Sequence, residues 1–273
     1  MRKFLLISLA FCLCAVVAQA GDKVVYNSVP NPLPPNVASA GPEANAFSEL
    51  GDAVQLTVNS GTLKEVTFVM SSWACQSGSW NGGNCVTKGD AKFKQPLTIN
   101  VYSVNDGLPP TVGSRLGTIT ETFDVPYRPS STPDLCPGNT AWYNKKDKTC
   151  YHGIAAAYKV NFDNQHIDLP TNGKLIVTVS YNTTHYGPHP IGESAPCYTS
   201  SAGCPYDSLN ISTDTTDGNY KFVGSPIDPS GIMVNYTLPA NSCTGTIATG
   251  VLVDDTPCWA GYHPEFQVKV DTK

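Results

Sequence analysis

The sequence predicts an all-β protein, an antiparallel two-sheet β-sandwich of jelly-roll type with long disulfide-stapled loops. Three observations lead to this prediction. Segments in which every second residue is apolar recur along the chain, as in half-buried strands. The 23 glycines and 22 prolines supply frequent turns. The 3.6-residue apolar period of a helix is not sustained anywhere, and about ten strands without helices are typical of a sandwich or barrel.

The first twenty residues have the pattern of a cleaved secretory signal. Arg2 and Lys3 are followed by an apolar run from Phe4 to Val17 and by the small-x-small cleavage pattern Ala18-Gln19-Ala20. The apolar run is shorter than the roughly 20 residues that a membrane span requires. We therefore expect residues 1–20 to be a signal peptide and the mature chain to be secreted and extracellular, without membrane insertion or a lipid anchor.

Composition constrains the mature chain further. It keeps 15 basic and 22 acidic side chains, a net charge of −7, because only Arg2 and Lys3 leave with the signal. A mildly acidic chain without clusters of lysine and arginine argues against a nucleic acid partner. Dense prolines exclude helix and central strand near the start. We expect an N-terminal proline-rich arm over residues 21–45 and a single sandwich domain over residues 46–273.

The clearest predicted strands have three or four apolar residues at alternate positions. They contain Val66, Phe68 and Met70; Leu97, Ile99 and Val101; Tyr158, Val160 and Phe162; Leu175, Val177, Val179 and Tyr181; and Phe266, Val268 and Val270. Weaker strands are predicted over residues 52–58, 116–125, 220–224, 231–236 and 246–253. Turn signals separate them at Asn105-Asp106-Gly107, Asn172-Gly173 and Asp217-Gly218. Long inserts remain over residues 71–95, 126–152 and 183–219.

Eight cysteines remain after the signal is removed, and they fall into four close pairs. The spacings within the pairs are 10, 14, 7 and 15 residues, whereas 51, 47 and 39 residues separate the pairs. Eight cysteines can pair in roughly 105 ways, but loop closure favours near neighbours in an oxidising compartment. No pair has the short spacing of structural zinc sites. We predict four local bridges, Cys75–Cys85, Cys136–Cys150, Cys197–Cys204 and Cys243–Cys258.

Several segments are distinctive in their residues. They are Ser71-Ser72-Trp73-Ala74-Cys75 with Trp80 and Cys85, the segment from Pro96 to Tyr102, Phe123 to Ser130, Tyr181 to Gly187, Cys197-Tyr198, and Gly203 to Asn210. In these segments the chain resembles a family of uncharacterised secreted and cell-surface proteins known mainly from bacterial extracellular proteins. The resemblance implies a β-sandwich of surface or extracellular type, and it implies no known activity.

All four tryptophans lie in or beside the predicted stapled loops. Sugars present apolar C–H faces that stack on flat aromatic rings, and a rigid loop lowers the entropic cost of binding. The alternative is that each ring covers its own disulfide and plugs the end of the sandwich. Trp80 and Trp142 rank first because polar loop sequence surrounds them. The candidate platform residues are Trp80, Trp142, Trp73, Trp259, Tyr143 and Tyr186.

A structural calcium ion is the only cofactor that the sequence suggests. Glu49 and Asp52 precede the first predicted core strand and Asp271 ends the last one, and carboxylates suit a hard cation. The alternative is that these are ordinary solvated acids of turns. His185 and His189 are four residues apart, but the glycine and proline between them exclude the helix that would bring them together.

These observations favour a non-catalytic extracellular protein that binds polysaccharide or associates with a cell surface or wall. A structural or adhesive protein that binds other proteins is one alternative. A polysaccharide-active hydrolase is another, but Glu121 has no acidic partner at strand spacing and the Gly-x-Ser-x-Gly motif is absent. We therefore expect no enzyme activity. The sequons at Asn182, Asn210 and Asn235 predict glycosylation at exposed positions.

Overall fold

In a computed structural model of the protein, the described residues are 21–78, 80, 82–138, 140–181, 209–213, 223–237, 243 and 245–272. They form two large antiparallel sheets that pack face to face, as the apolar alternation predicts. The predicted signal peptide, the Cys197–Cys204 bridge, Asn182 and Tyr186 lie outside the described residues. The jelly-roll pattern of connections stays a prediction.

The first sheet has six strands, in the order β1-β15-β4-β11-β2, with β9 also paired to β4. The strands are β1 (Gly21–Asn27), β2 (Ser39–Ala40), β4 (Thr62–Ser72), β9 (Ile154–Asn161), β11 (Leu209–Ser212) and β15 (Phe266–Thr272). The first and last described strands are neighbours in this sheet, where Asp22 of β1 pairs with Asp271 of β15.

The second sheet has seven strands, in the order β14-β13-β3-β10-β5-β6, with β12 also paired to β3. The strands are β3 (Phe47–Gln55), β5 (Lys92–Asn105), β6 (Thr111–Pro126), β10 (Lys174–Ser180), β12 (Ser225–Pro226), β13 (Ile232–Tyr236) and β14 (Leu252–Asp255). A separate hairpin joins β7 (Trp142–Asn144) to β8 (Thr149–Tyr151), and the helical elements are α1 (Pro42–Asn45) and a 3₁₀ turn (Asp163–Gln165).

The core lies between the two sheets and consists of the inward-facing residues of both. In β4 the alternate residues Val66, Phe68 and Met70 are fully buried. The ring of Phe68 stacks on that of Phe266, with 5.1 Å between their centroids. The five strands with clear alternation are therefore confirmed, because a period of two places one set of side chains against the opposite sheet. Among the described residues, no helix is long and apolar enough to cross a membrane.

The structure of residues 21–45 differs from the predicted proline-rich arm. Residues 21–27 form β1, which pairs with β15, and Val25 and Tyr26 are fully buried. Prolines begin only at Pro30, so they do not prevent a strand over the seven residues before them. Residues 28–38 form the proline-containing segment between β1 and β2, and Gly21–Asn27 already belong to the sandwich.

The long inserts leave the sandwich at one end. Ser72 at the end of β4 pairs with Ile154 at the start of β9, and Lys92 at the start of β5 pairs with Pro126 at the end of β6. This end, called the insert end, also carries Tyr236 at the end of β13. Three predicted disulfides are present, Cys75–Cys85, Cys136–Cys150 and Cys243–Cys258. They indicate an oxidising, extracellular environment for the folded protein.

Candidate functional site

One group of aromatic rings forms around Trp73, directly after β4. The Trp73 ring stacks on the imidazole of His152 at 5.4 Å and packs perpendicular to the Trp80 ring at 4.9 Å, both measured between centroids. The indole Nε1 of Trp73 donates to the hydroxyl of Ser71 at 3.0 Å. Both tryptophans are half-buried. Their faces are partly occupied by each other and by His152, which leaves little flat surface for a ligand.

Trp142 is a structural residue, so the prediction that it is a leading candidate for a sugar-binding platform is wrong. Its side chain is buried, with 8% exposure, and its Nε1 donates to the carbonyl of Gly153 at 2.9 Å. The Tyr151 ring, 5.5 Å away between centroids, covers it from the paired strand. Polar neighbours in the sequence do not reveal this, because the hairpin of β7 and β8 folds Trp142 inward. Tyr143, its neighbour on β7, is half-buried.

A second aromatic surface lies at the Cys243–Cys258 bridge. A cleft of about 300 Å³, called the Trp259 cleft, is lined by Tyr236, Cys243, Asp255, Cys258, Trp259 and Tyr262. Tyr262 is 50% exposed, and Trp259 is half-buried with one part of its ring against the core. A hydrogen bond from the Tyr262 amide to the Trp259 carbonyl, at 2.8 Å, closes the turn that holds the two rings together.

Asp255 holds three residues of the Trp259 cleft in place. It is fully buried, and its Oδ2 accepts hydrogen bonds from the Tyr236 hydroxyl at 2.6 Å, the Cys243 amide at 2.9 Å and the Trp259 indole at 3.4 Å. Burial and then the bond to Asp255 raise the pKa of Tyr236, so its hydroxyl stays a donor. One carboxylate therefore joins β13, the disulfide and the tryptophan, and sets the orientation of the Trp259 ring.

Asp254, the neighbour of Asp255 on β14, points to the other face of that strand. The charges of Asp228 and Asp52 act on Asp254, and His263 contacts Asp52, so these four residues are called the acidic cluster. The Nδ1 of His263 lies 2.9 Å from Oδ2 of Asp52, and its Nε2 lies 3.2 Å from the carbonyl of Pro229. Asp52 and His263 are both buried, so the pair ties the loop before β15 to the middle of β3.

Two groups of the acidic cluster have raised pKa values. Burial, followed by the charges of Asp228 and Asp52, raises the pKa of Asp254 to about 8. Burial alone would lower the pKa of His263, but the hydrogen bond and charge of Asp52 raise it overall. Asp254 is therefore protonated at neutral pH and can donate a hydrogen bond to Asp228.

The predicted calcium ligands are not brought together. Glu49 and Asp52 are three positions apart on β3, so their side chains point to opposite faces of the strand. Glu49 accepts hydrogen bonds from Asn100 and from Tyr102, both at 2.9 Å, on the outer face of its sheet. Asp271 lies in the other sheet. Among the described residues, no group of three or more His, Cys, Asp or Glu side chains is arranged to hold a metal ion.

The remaining predicted positions lie on strands. Glu121 is half-buried on β6, opposite Leu97. Asn210 on β11 and Asn235 on β13 are half-buried instead of exposed, and the amide oxygen of each is buried. Their positions follow from strand pairing that the sequons do not encode. Glycosylation of these two residues and of Asn182 stays a prediction.

Arg128 is a buried cation that the sequence did not single out. It is fully buried, and neither terminal guanidinium nitrogen has a hydrogen-bond partner in the part of the chain that the structure describes. Its Nε approaches the carbonyl of Pro129 at 3.4 Å. Burial lowers the pKa of Arg128 to about 10, and burial followed by the Arg128 charge lowers the pKa of His152.

Comparison of the chain with protein-family models, with curated protein sequences and with solved structures found no match. The sequence pointed to Trp259 but missed Tyr236, Asp255 and His263. No short motif contains them, because strand pairing and the path of the loop between β14 and β15 bring them together. In the sequence, the only sign of this site is the pair of adjacent acids Asp254-Asp255 near a cysteine.

Proposed function

We propose that this is a secreted, non-catalytic protein that binds glycans through the Trp259 cleft. The observation that carries the proposal is the pairing of exposed Tyr262 and half-buried Trp259 rings on a cleft beside a disulfide. Sugar rings present apolar C–H faces to aromatic rings, and a loop already ordered by a disulfide loses little entropy on binding.

The size of the cleft supports a particular kind of glycan contact. Its volume of about 300 Å³ lies at the small end of the range for ligand pockets. We therefore expect a terminal sugar unit to enter it, with the rest of a polysaccharide chain outside. Asp255 acts as a positioning residue in this proposal, because the Tyr236 hydroxyl, the Cys243 amide and the Trp259 indole already occupy it.

Extracellular action is part of the same proposal. The disulfides indicate an oxidising environment, and the pattern of residues 1–20 supplies a route of secretion. Association with a cell surface or wall would follow from glycan binding. Such association would not require a membrane segment.

The experiment is a binding assay with the mature, oxidised chain against cellulose, chitin and other insoluble glycans, with soluble oligosaccharides as competitors. We expect one glycan to bind, and Trp259→Ala or Tyr262→Ala to weaken binding about tenfold or more. Tyr143→Ala and Trp80→Ala are matched controls that remove aromatic rings outside the cleft. The proposal fails if no glycan binds, or if Trp259→Ala binds as well as the wild-type chain.

A further inference from the structure

The Trp259 cleft carries a negative charge as well as aromatic rings. Among the described residues that line it, Asp255 is the one charged side chain. The chain around it has the same character, because residues 222–268 contain no lysine or arginine but four acids, Asp228, Asp254, Asp255 and Glu265. Even with Asp254 protonated and His263 charged, this stretch keeps a net negative charge. Such a surface attracts cationic ligands and repels anionic ones.

Three aromatic side chains share the cleft with this carboxylate, namely Tyr236, Trp259 and Tyr262. Tyr236 is buried, Trp259 is half-buried and Tyr262 is 50% exposed, so aromatic surface extends from the interior of the cleft to its mouth. The face of an aromatic ring is negative, and a cation within about 6 Å of it is attracted. Several aromatic rings at one site are the arrangement that recognises organic ammonium groups.

Two of the rings donate hydrogen bonds to the carboxylate itself. The Tyr236 hydroxyl donates to Oδ2 of Asp255 at 2.6 Å, and the Trp259 indole donates to the same oxygen at 3.4 Å. Donation to an anion polarises the donor, so both rings gain electron density and attract a cation more strongly. Because Asp255 is fully buried, water screens its charge poorly. The carboxylate therefore acts on a ligand through these rings and through its field, without direct contact.

We propose that the sugar unit in the Trp259 cleft carries an ammonium group, as glucosamine does, an inference that rests on the proposed glycan binding. The ammonium group lies against the aromatic faces of the cleft, and the charge of Asp255 offsets part of the cost of removing it from water. A cleft of about 300 Å³ has room for one such unit. The partner is therefore a polysaccharide that contains free amino sugars.

Neutral and anionic sugars fit this cleft less well. A neutral sugar can stack its C–H face on the Trp259 ring, but it gains nothing from the charge of Asp255. A sugar with a carboxylate or sulfate group would bring a second negative charge toward the first, which opposes binding. The expected order of affinity is therefore ammonium-bearing, then neutral, then anionic sugars.

The first test compares three soluble oligomers of equal length and the same linkage, made of glucosamine, N-acetylglucosamine or glucose. They differ in one substituent of the sugar ring, so a difference in affinity reports on that group. Calorimetric titration of the mature, oxidised chain at mildly acidic pH, where glucosamine is protonated, gives the three dissociation constants. We expect the glucosamine oligomer to bind about tenfold more tightly than the other two, and Trp259→Ala to remove this advantage.

The second test isolates the charge of Asp255. Asp255→Asn keeps the shape of the side chain and one oxygen acceptor but removes the charge. It should reduce the preference for the glucosamine oligomer over the N-acetylglucosamine oligomer severalfold, whereas a purely structural loss would weaken both equally. Asp106→Asn is the matched control and should keep the preference, because Asp106 is exposed in the turn between β5 and β6, at the opposite end of the sheet from Tyr236.

The third test uses tetramethylammonium with the wild-type chain, so it remains informative if Asp255→Asn does not fold. Tetramethylammonium chloride should displace the glucosamine oligomer more strongly than the same concentration of sodium chloride. Saturation-transfer NMR with tetramethylammonium alone should show contact with the wild-type chain and none with Trp259→Ala.

The proposal is overturned if a neutral oligomer binds the wild-type chain as tightly as the glucosamine oligomer, if folded Asp255→Asn keeps the full preference, or if tetramethylammonium makes no contact that depends on Trp259. A neutral glycan that binds through Trp259 as tightly as the glucosamine oligomer would leave the glycan site standing and remove only its preference for ammonium groups. If no glycan binds at all, both proposals fail.

Discussion

The Nδ1 of His263 lies 2.9 Å from Oδ2 of Asp52, a residue 211 positions earlier in the chain. The other ring nitrogen faces the Pro229 carbonyl, which can only accept, so Nε2 carries a hydrogen. The hydrogen bond between Nδ1 and Asp52 therefore forms whether its proton belongs to the histidine or to the aspartate. This contact holds the loop that carries Trp259 and Tyr262 against β3.

His263→Ala should therefore destabilise the fold strongly. It would leave Asp52, which is 1% exposed, without its partner, and breaking a buried pair from one side costs about 3–5 kcal/mol. Urea unfolding measures the change. The double variant Asp52→Ala with His263→Ala should cost less than the sum of the two single variants. Additive costs would contradict the pairing.

Asp254 should make stability depend on pH. Its pKa is raised to about 8 in the folded protein, whereas an unfolded aspartate titrates near 4, so the folded state binds the extra proton between these values. The stabilisation is complete below about pH 4 and is lost as the pH rises to about 8. The raised pKa of His263 acts in the same direction.

Thermal unfolding between about pH 5 and pH 9 checks this. The unfolding midpoint of the wild-type chain should fall across the range, and Asp254→Asn should flatten the profile and raise the midpoint at the alkaline end. Asp124→Asn is the control, because that carboxylate is exposed and Lys94 lowers its pKa. An unchanged slope in Asp254→Asn would show that another group dominates.

Trp142 should be essential for stability and irrelevant for binding. Trp142→Ala removes a buried ring and should cost about 3–5 kcal/mol. Trp142→Phe keeps most of the ring but leaves the Gly153 carbonyl without its donor, and should cost about 1–3 kcal/mol. Chemical unfolding and glycan binding of Trp142→Phe are the measurements. Loss of binding in a folded Trp142→Phe protein would place the site at the hairpin of β7 and β8 instead of the Trp259 cleft.

Arg128→Met should stabilise the protein. The guanidinium is fully buried and its terminal nitrogens have no partner among the described residues, so the substitution removes a desolvation cost while filling a similar volume. We expect a gain of about 1–4 kcal/mol in the free energy of unfolding. Arg115→Met, at an exposed position, should change it little. A less stable Arg128→Met would mean that the guanidinium has a favourable interaction in the folded state.

Two of the disulfides should contribute similarly to stability but differently to glycan binding. Replacing both cysteines of the Cys243–Cys258 bridge with alanine should cost about 3 kcal/mol and also weaken glycan binding, because the bridge lines the cleft. The same change at Cys136–Cys150, which closes a loop of similar length, should cost a similar amount and leave binding intact. Equal effects on binding would contradict the placement of the site.

Much of the fold could be predicted because period-two alternation and sandwich burial express the same physical requirement. Val66, Phe68 and Met70 alternate because they face a second sheet. β1 was missed because the prolines that follow it dominate that region of the sequence. Glu49 and Asp52 were grouped as calcium ligands because both were placed just before the first core strand, whereas both lie within β3. Because both lie on one strand, their spacing of three directs their side chains to opposite faces of the sheet.

By itself, the sequence determined the all-β class, the core strands and the three described local bridges. These depend on patterns within short stretches of chain, where side-chain alternation and loop closure act. Only the tertiary structure decided that Trp142 is buried while Trp259 lines a cleft, and that Asp255 holds that cleft. Those outcomes depend on contacts between distant strands and on which face of each strand meets solvent, and neighbouring residues do not encode either.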